Sequence, residues 1–265
     1  MIEKTILFKD TNIFYNFSEN NKKETIVFIH PYGSSNSVFK NQVINFKREY
    51  QLILIDLPGH GKSGFSFNVT IKDVPEIIKS ILNNHNILKT HLVAIKEGAL
   101  VAQAFSNIYS HYVSSLVLAS TYPIYFDTYK IVKTQTKKKR VKEFLLWLFS
   151  FTNYQKLLVK DSAFTNEGQE LFKESMINFK RKSLFIKRGF KRFYKLTYQQ
   201  TNFPIYLVCG NNDLEVIKDA SLQFERKYNR VILEGYPDTK EVVFLDNQRL
   251  FNERLTTFLS SARRY

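Results

Sequence analysis

Residues 92–98 read Leu92-Val93-Ala94-Ile95-Lys96-Glu97-Gly98, and the apolar stretch Ala99-Leu100-Val101-Ala102-Gln103-Ala104-Phe105 follows at once. A short apolar run that breaks at a small residue and resumes with helical character predicts strand, tight turn, helix. The turn is so sharp that its central residue, Lys96, stands alone above the sheet. Small residues two before and two after it, Ala94 and Gly98, let the strand and helix backbones nearly touch.

Similar apolar runs lie on both sides. Thr25-Ile26-Val27-Phe28-Ile29, Leu52-Ile53-Leu54-Ile55 and Leu116-Val117-Leu118-Ala119 read as strands buried on both faces. Ile6-Leu7-Phe8 and Asn12-Ile13-Phe14-Tyr15 predict a hairpin across Lys9-Asp10-Thr11. Helical patterns fall near 35–47, 73–84 and 98–109. After residue 201 the alternation resumes, with strands at Ile205–Cys209 and Val231–Leu233 and helices at 216–228 and 247–260. Strand–helix alternation of this kind predicts a mostly parallel central sheet flanked by helices. Residues 123–200 do not alternate. They are rich in Lys, Arg, Phe and Tyr and read as a helical insertion, giving a core of 1–122 and 201–265.

At 265 residues the chain can bury a full core. A charged content of 24% with 44% hydrophobic residues excludes a disordered chain. Its one cysteine, Cys209, cannot form an internal disulfide and reads as a packed strand residue. The N-terminus has no apolar core of the signal type, and no uncharged run is long enough to span a bilayer. The expected location is therefore cytoplasmic, peripheral at a membrane at most. The net charge of +15 is uneven, since residues 121–200 hold 18 basic and 6 acidic side chains. The insertion therefore carries most of the basic character.

Four segments stand at the ends of core strands. They are His30-Pro31-Tyr32-Gly33-Ser34-Ser35, Asp56-Leu57-Pro58-Gly59-His60-Gly61-Lys62-Ser63, Ala94-Ile95-Lys96-Glu97-Gly98 and Gly210-Asn211-Asn212-Asp213. In this order and spacing they resemble the α/β-hydrolase superfamily with a helical cap, over essentially the whole chain. The D-L-P-G-H-G-x-S stretch is the most specific piece. The resemblance implies an α/β-hydrolase fold with an inserted cap at 123–200. It implies that Lys96 occupies the centre of the elbow written G-x-S-x-G, where the family has its nucleophilic serine. Asp213 matches the triad acid, and the histidine slot falls at or near Glu241. The backbone amides of Tyr32 and Glu97 match the oxyanion hole. No cofactor or metal is implied.

Triad order in this fold is nucleophile, acid, histidine. The five histidines, His30, His60, His85, His91 and His111, all precede Asp213. The expectation is a hydrolase-like protein with a degenerate triad and without ordinary esterase activity. It would bind a small anionic or amphipathic ligand, or a protein partner, through a capped pocket. Lys96 then pairs with Asp213 or Glu241, or binds an anion at the helix N-terminus. Asp213 has the alternative of capping its own turn, and Glu241 that of an exposed surface residue. His30 and His60 read as structural. A second reading is an active enzyme with a reorganised site, in which Lys96 serves as base or imine former.

The insertion carries another signal. Lys137-Lys138-Lys139-Arg140-Val141-Lys142 runs into Phe144-Leu145-Leu146-Trp147-Leu148-Phe149-Ser150-Phe151, and residues 180–195 repeat the mixture. Residues 133–151 and 180–195 are thus candidates for contact with an anionic membrane surface or a protein. The simpler reading is a cap helix whose apolar face covers the pocket. Nucleic acid ranks last, because no recognised motif accompanies the interleaved aromatic and basic residues.

Overall fold

The structure, a computed structural model, describes residues 1–20, 24–196 and 201–263. Eight strands form one sheet: β1 (Ile2–Phe8), β2 (Thr11–Ser18), β3 (Thr25–Ile29), β4 (Gln51–Ile55), β5 (Thr90–Ile95), β6 (Val113–Ala119), β7 (Ile205–Gly210) and β8 (Val231–Tyr236). Their order is β1-β2-β4-β3-β5-β6-β7-β8. β1 and β2 pair antiparallel and β2 runs antiparallel to β4, while all pairs from β4 to β8 are parallel. The expected hairpin is present, longer than its apolar runs suggested.

The helices are α1 (Lys40–Phe46), α2 (Val74–Asn84), α3 (Glu97–Ile108), α4 (Phe126–Gln135), α5 (Lys137–Phe149), α6 (Phe151–Ser162), α7 (Asn166–Ser175), α8 (Phe190–Phe193), α9 (Glu215–Lys227), α10 (Val243–Asp246) and α11 (Gln248–Ala262). Every residue of β3, β4, β5 and β7 is buried, as their uninterrupted apolar runs require of strands covered on both faces. Two clusters flank the sheet. One holds Val27, Ile29, Ile53, Leu92 and Phe105 under α2 and α3, and the other Phe28, Leu54, Val93, Tyr206 and Phe251 under α11.

The parallel register aligns the strand ends. Ile29 lies opposite Ile55 and Ala94, Ile95 opposite Ala119, and Ala119 opposite Val208. The residues that leave those ends, His30, Asp56, Lys96 and Ser120, therefore emerge along one edge. This is the edge at which open α/β sheets bind ligands.

Helices α4 to α8 lie between β6 and β7 and cover that edge. The boundary expected near residue 200 falls outside the described residues. The Asp246 carboxylate of α10 is one of the links between this cap segment and the core. Asp246 accepts from the N–H groups of Phe164 and Thr165, 2.9 Å each, from the Thr165 hydroxyl at 3.0 Å and from the Lys240 N–H at 3.0 Å.

Candidate active site

The elbow forms as its sequence requires. Lys96 sits between β5 and α3 with φ 51° and ψ −114°, outside the regions that ordinary side chains favour. Its N–H donates to Ala119 O at 3.0 Å, which pins the turn to β6. A Cβ on Gly98 would lie 2.4 Å from Ile29 O, so only glycine admits the close approach of α3 to β3. Lys96 is thereby presented at the crest of the sheet, beneath the cap.

Its partner is Glu241, from the loop between β8 and α10. The Lys96 ammonium donates directly to the Glu241 carboxylate. Lys139 of α5 lies 3.6 Å from the other oxygen of Glu241 and 3.1 Å from Asp161. Burial alone would push Lys96 down, but Glu241 and Glu97 outweigh it and hold the ammonium above the ordinary lysine range. Lys96 is therefore a fixed cation at neutral pH.

Glu97 opens α3, and its carboxylate turns back over the elbow. It accepts from the Tyr32 N–H at 3.3 Å and from Lys187 of the cap at 3.0 Å. Burial would raise its carboxyl, but Lys187 and Lys96 hold it down at about 2. Lys187 also lies 3.7 Å from the centre of the Tyr32 ring. The Tyr32 amide, assigned to an oxyanion hole by resemblance, thus faces a carboxylate.

Asp213 stands three residues beyond the end of β7. Its carboxylate accepts from the Ser120 hydroxyl and, at 2.6 Å, from the Leu214 N–H. Burial, reinforced by Glu241, pushes its carboxyl up to about 6. Ser120 leaves β6 with φ 49°, a left-handed conformation that is costly for serine. Sequence reading assigned no role to Ser120. The available signal was its place at the end of a core strand, equivalent to that of Lys96 one strand away.

Lys96, Ser120, Lys139, Glu143 and Glu241 line one cavity of about 170 Å³ between cap and core, with Leu214 and Ile217 as its apolar wall. Burial raises the carboxyl of Glu143. Of the sequence-assigned residues, the structure brings Lys96 and Glu241 into contact and places Glu97 beside them against Tyr32. Asp213 engages Ser120, so the expected choice between Asp213 and Glu241 as partner of Lys96 falls to Glu241. That carboxylate is 5% exposed, which removes the surface-residue alternative.

The nearby histidines serve the loops. The His30 ring contacts Pro31 O at 2.8 Å through Nδ1 and accepts the Leu57 N–H at 2.9 Å through Nε2. Burial lowers His30 to about 3 and His60 to about 4, so both rings are neutral. Burial also pushes the Cys209 thiol up to about 12, consistent with a packed strand residue.

Residues 24–248 match the family described as the alpha/beta hydrolase fold. A Mycoplasma genitalium protein, provisionally named esterase/lipase 3, is 22% identical over 93% of this chain and 88% of its own length. The structure of a thermophilic esterase from Thermogutta terrifontis superposes with a TM-score of 0.78 at 14% identity, covering 99% of each chain. A hydrolase from Pseudomonas aeruginosa superposes with a TM-score of 0.80 at 15% identity, covering 97% of this chain and 98% of its own. These hydrolase and esterase names overturn one expectation, that of a binding protein without ordinary esterase activity. That expectation rested on the lysine at the elbow and on the lack of any histidine after Asp213. It took no account of the hydroxyl and carboxylate that meet one strand away. The elbow, the aligned strand ends and the match over most of its length together establish that the chain belongs to the alpha/beta hydrolase fold family.

Proposed function

We propose that the protein hydrolyses a carboxylic ester or closely related acyl bond, with Ser120 as nucleophile and Asp213 as its base. In this reading Lys96 and Glu241 take the positions that the family gives to serine and histidine. The observation that carries the reading is the hydrogen bond from the Ser120 hydroxyl to the buried Asp213, at the wall of the cavity that Ser120 and Lys96 line. A nucleophile within hydrogen-bond reach of its base is the basic requirement of acyl transfer. The esterase names among the relatives support the same class of reaction.

Ser120 Oγ attacks the acyl carbon, and its proton passes to Asp213. The carbonyl oxygen becomes an oxyanion, and the Lys96 ammonium stabilises that charge from within the cavity. Collapse of the adduct breaks the bond to the leaving alcohol, which takes the proton from Asp213. Water then attacks the acyl-Ser120 ester and gives a proton to Asp213; the bond from the acyl carbon to Ser120 Oγ breaks, Ser120 takes that proton back, and the acid leaves. Lys96 acts as a charge and not as an amine nucleophile, because Glu241 keeps it protonated. Lys139 and Glu241 are positioning residues that hold it in place.

A panel of p-nitrophenyl acyl esters and a fluorophosphonate probe test the proposal. Turnover is expected, with stoichiometric labelling that mass spectrometry maps to Ser120. Ser120→Ala should lose the label and about 10³-fold in rate. Absence of both turnover and label in the wild type overturns the reading. Turnover that survives Ser120→Ala but is lost in Glu241→Gln would make water the nucleophile instead.

A further inference from the structure

Helix α5 is built inside out. Lys139, Glu143 and Leu146 follow one another at four- and three-residue spacing on the inward side, and Lys139 and Glu143 line the active-site cavity. Val141, Phe144, Leu145 and Leu148 form the opposite stripe and face solvent, 50%, 52%, 46% and 42% exposed. Phe149, at the end of the helix, is 78% exposed, and every residue of α5 is half-buried or exposed. A surface helix ordinarily turns its apolar stripe to the core. The apolar face here does not cover the pocket, as the simpler sequence reading had it.

The stripe does not stand alone. Trp147 reaches Phe185, with ring centres 6.4 Å apart, and Phe185 reaches the exposed Phe67 at 5.4 Å. The rim of the patch is basic. Lys137, Lys138 and Lys142 are exposed on α5 itself, and Arg181 and Lys182 are exposed beside Phe185. No carboxylate among the described residues pairs with any of these five.

We propose that α5 seats the protein on an anionic lipid surface, lying in the plane of the interface. Large apolar and aromatic side chains bounded by lysine and arginine match the boundary between acyl chains and negatively charged headgroups. The charge pattern argues for lipid over a second copy of this chain, because a face-to-face pair would set basic rim against basic rim. Among the described residues no helix is long and apolar enough to cross a membrane. Because the inward side of α5 roofs the cavity, docking would set the active site within about one helix diameter of the lipid, ~10–12 Å.

The test is co-sedimentation of the full chain with sucrose-loaded vesicles, of phosphatidylcholine alone or with about 30% phosphatidylserine, over a range of salt. Binding is expected to the anionic vesicles, at least about tenfold weaker to the neutral ones, and falling with salt. Charge reversal at Lys137, Lys138 and Lys142 together should lower partitioning by about 100-fold or more. Leu145→Asp with Leu148→Asp should abolish it. These side chains are largely exposed, so circular dichroism and thermal midpoint should stay those of the wild type and exclude misfolding as the cause. Failure to sediment with anionic vesicles overturns the proposal, as does undiminished binding by the aspartate variant. A dimer in light scattering that the aspartate variant dissolves, without vesicle binding, would give the face to a second copy instead.

Discussion

Lys187 of the cap donates to the carboxylate of Glu97 at 3.0 Å, and the same carboxylate takes the N–H of Tyr32 at 3.3 Å. The cap is thus tied to the residue that follows the elbow centre, over an amide expected to serve the reaction. Any oxyanion that uses the Tyr32 amide must first displace Glu97.

Glu97→Ala removes that competitor. Freeing the amide is expected to raise turnover of an acyl ester about tenfold, a fraction of what one such donor is worth. Steady-state kinetics with one soluble ester is the measurement. An unchanged kcat would mean that the Tyr32 amide takes no part.

Lys187→Met should loosen the cap, because it leaves the carboxylate of Glu97 without its main cation. The expected loss is about 1–3 kcal/mol in urea unfolding, with faster proteolysis in the α4–α8 segment. Equal stability and equal cleavage would show that this pair does not hold the cap.

The Lys96–Glu241 pair invites a double-mutant cycle. Lys96→Met leaves Glu241 with Lys139 alone and should cost about 2–3 kcal/mol. Adding Glu241→Leu should recover much of that loss, because an uncompensated buried charge is removed. If the two single losses simply add, the contact contributes no coupling.

Asp213 gives the pH dependence. With its carboxyl at about 6 it cannot accept the Ser120 proton in acid, so the rate should rise through pH 6 to a plateau. The stability effect has the opposite sign. Folding raises this carboxyl above its unfolded value, so the folded state binds the extra proton and stability falls as pH rises from about 4 through 6, by ~3 kcal/mol. Asp213→Asn should flatten both curves relative to the wild type, and an unaltered acid limb would assign that titration elsewhere.

Much of this was legible in the chain. The buried strands announced themselves as unbroken apolar runs, and Ala94 and Gly98 marked the turn that exposes Lys96. The family resemblance puts the slot that faces Lys96 at or near Glu241. The Ser120–Asp213 contact was not legible. It joins residues 93 positions apart, and it exists because β6 and β7 are neighbours in the sheet with aligned ends. The outward stripe of α5 was hidden for a different reason. Periodicity fixes which residues share a face of a helix, but the rest of the fold decides which face looks out.

The four donors gathered by Asp246 bear on how this architecture can be remodelled. A foreign lid spliced in between β6 and β7 would have to supply equivalents of the Phe164 and Thr165 amides. Without them the carboxylate would lose most of its partners and keep the Lys240 N–H, from the loop that carries Glu241. Roof and reaction centre are fastened by the same bolt, so exchanging one part means redesigning the other.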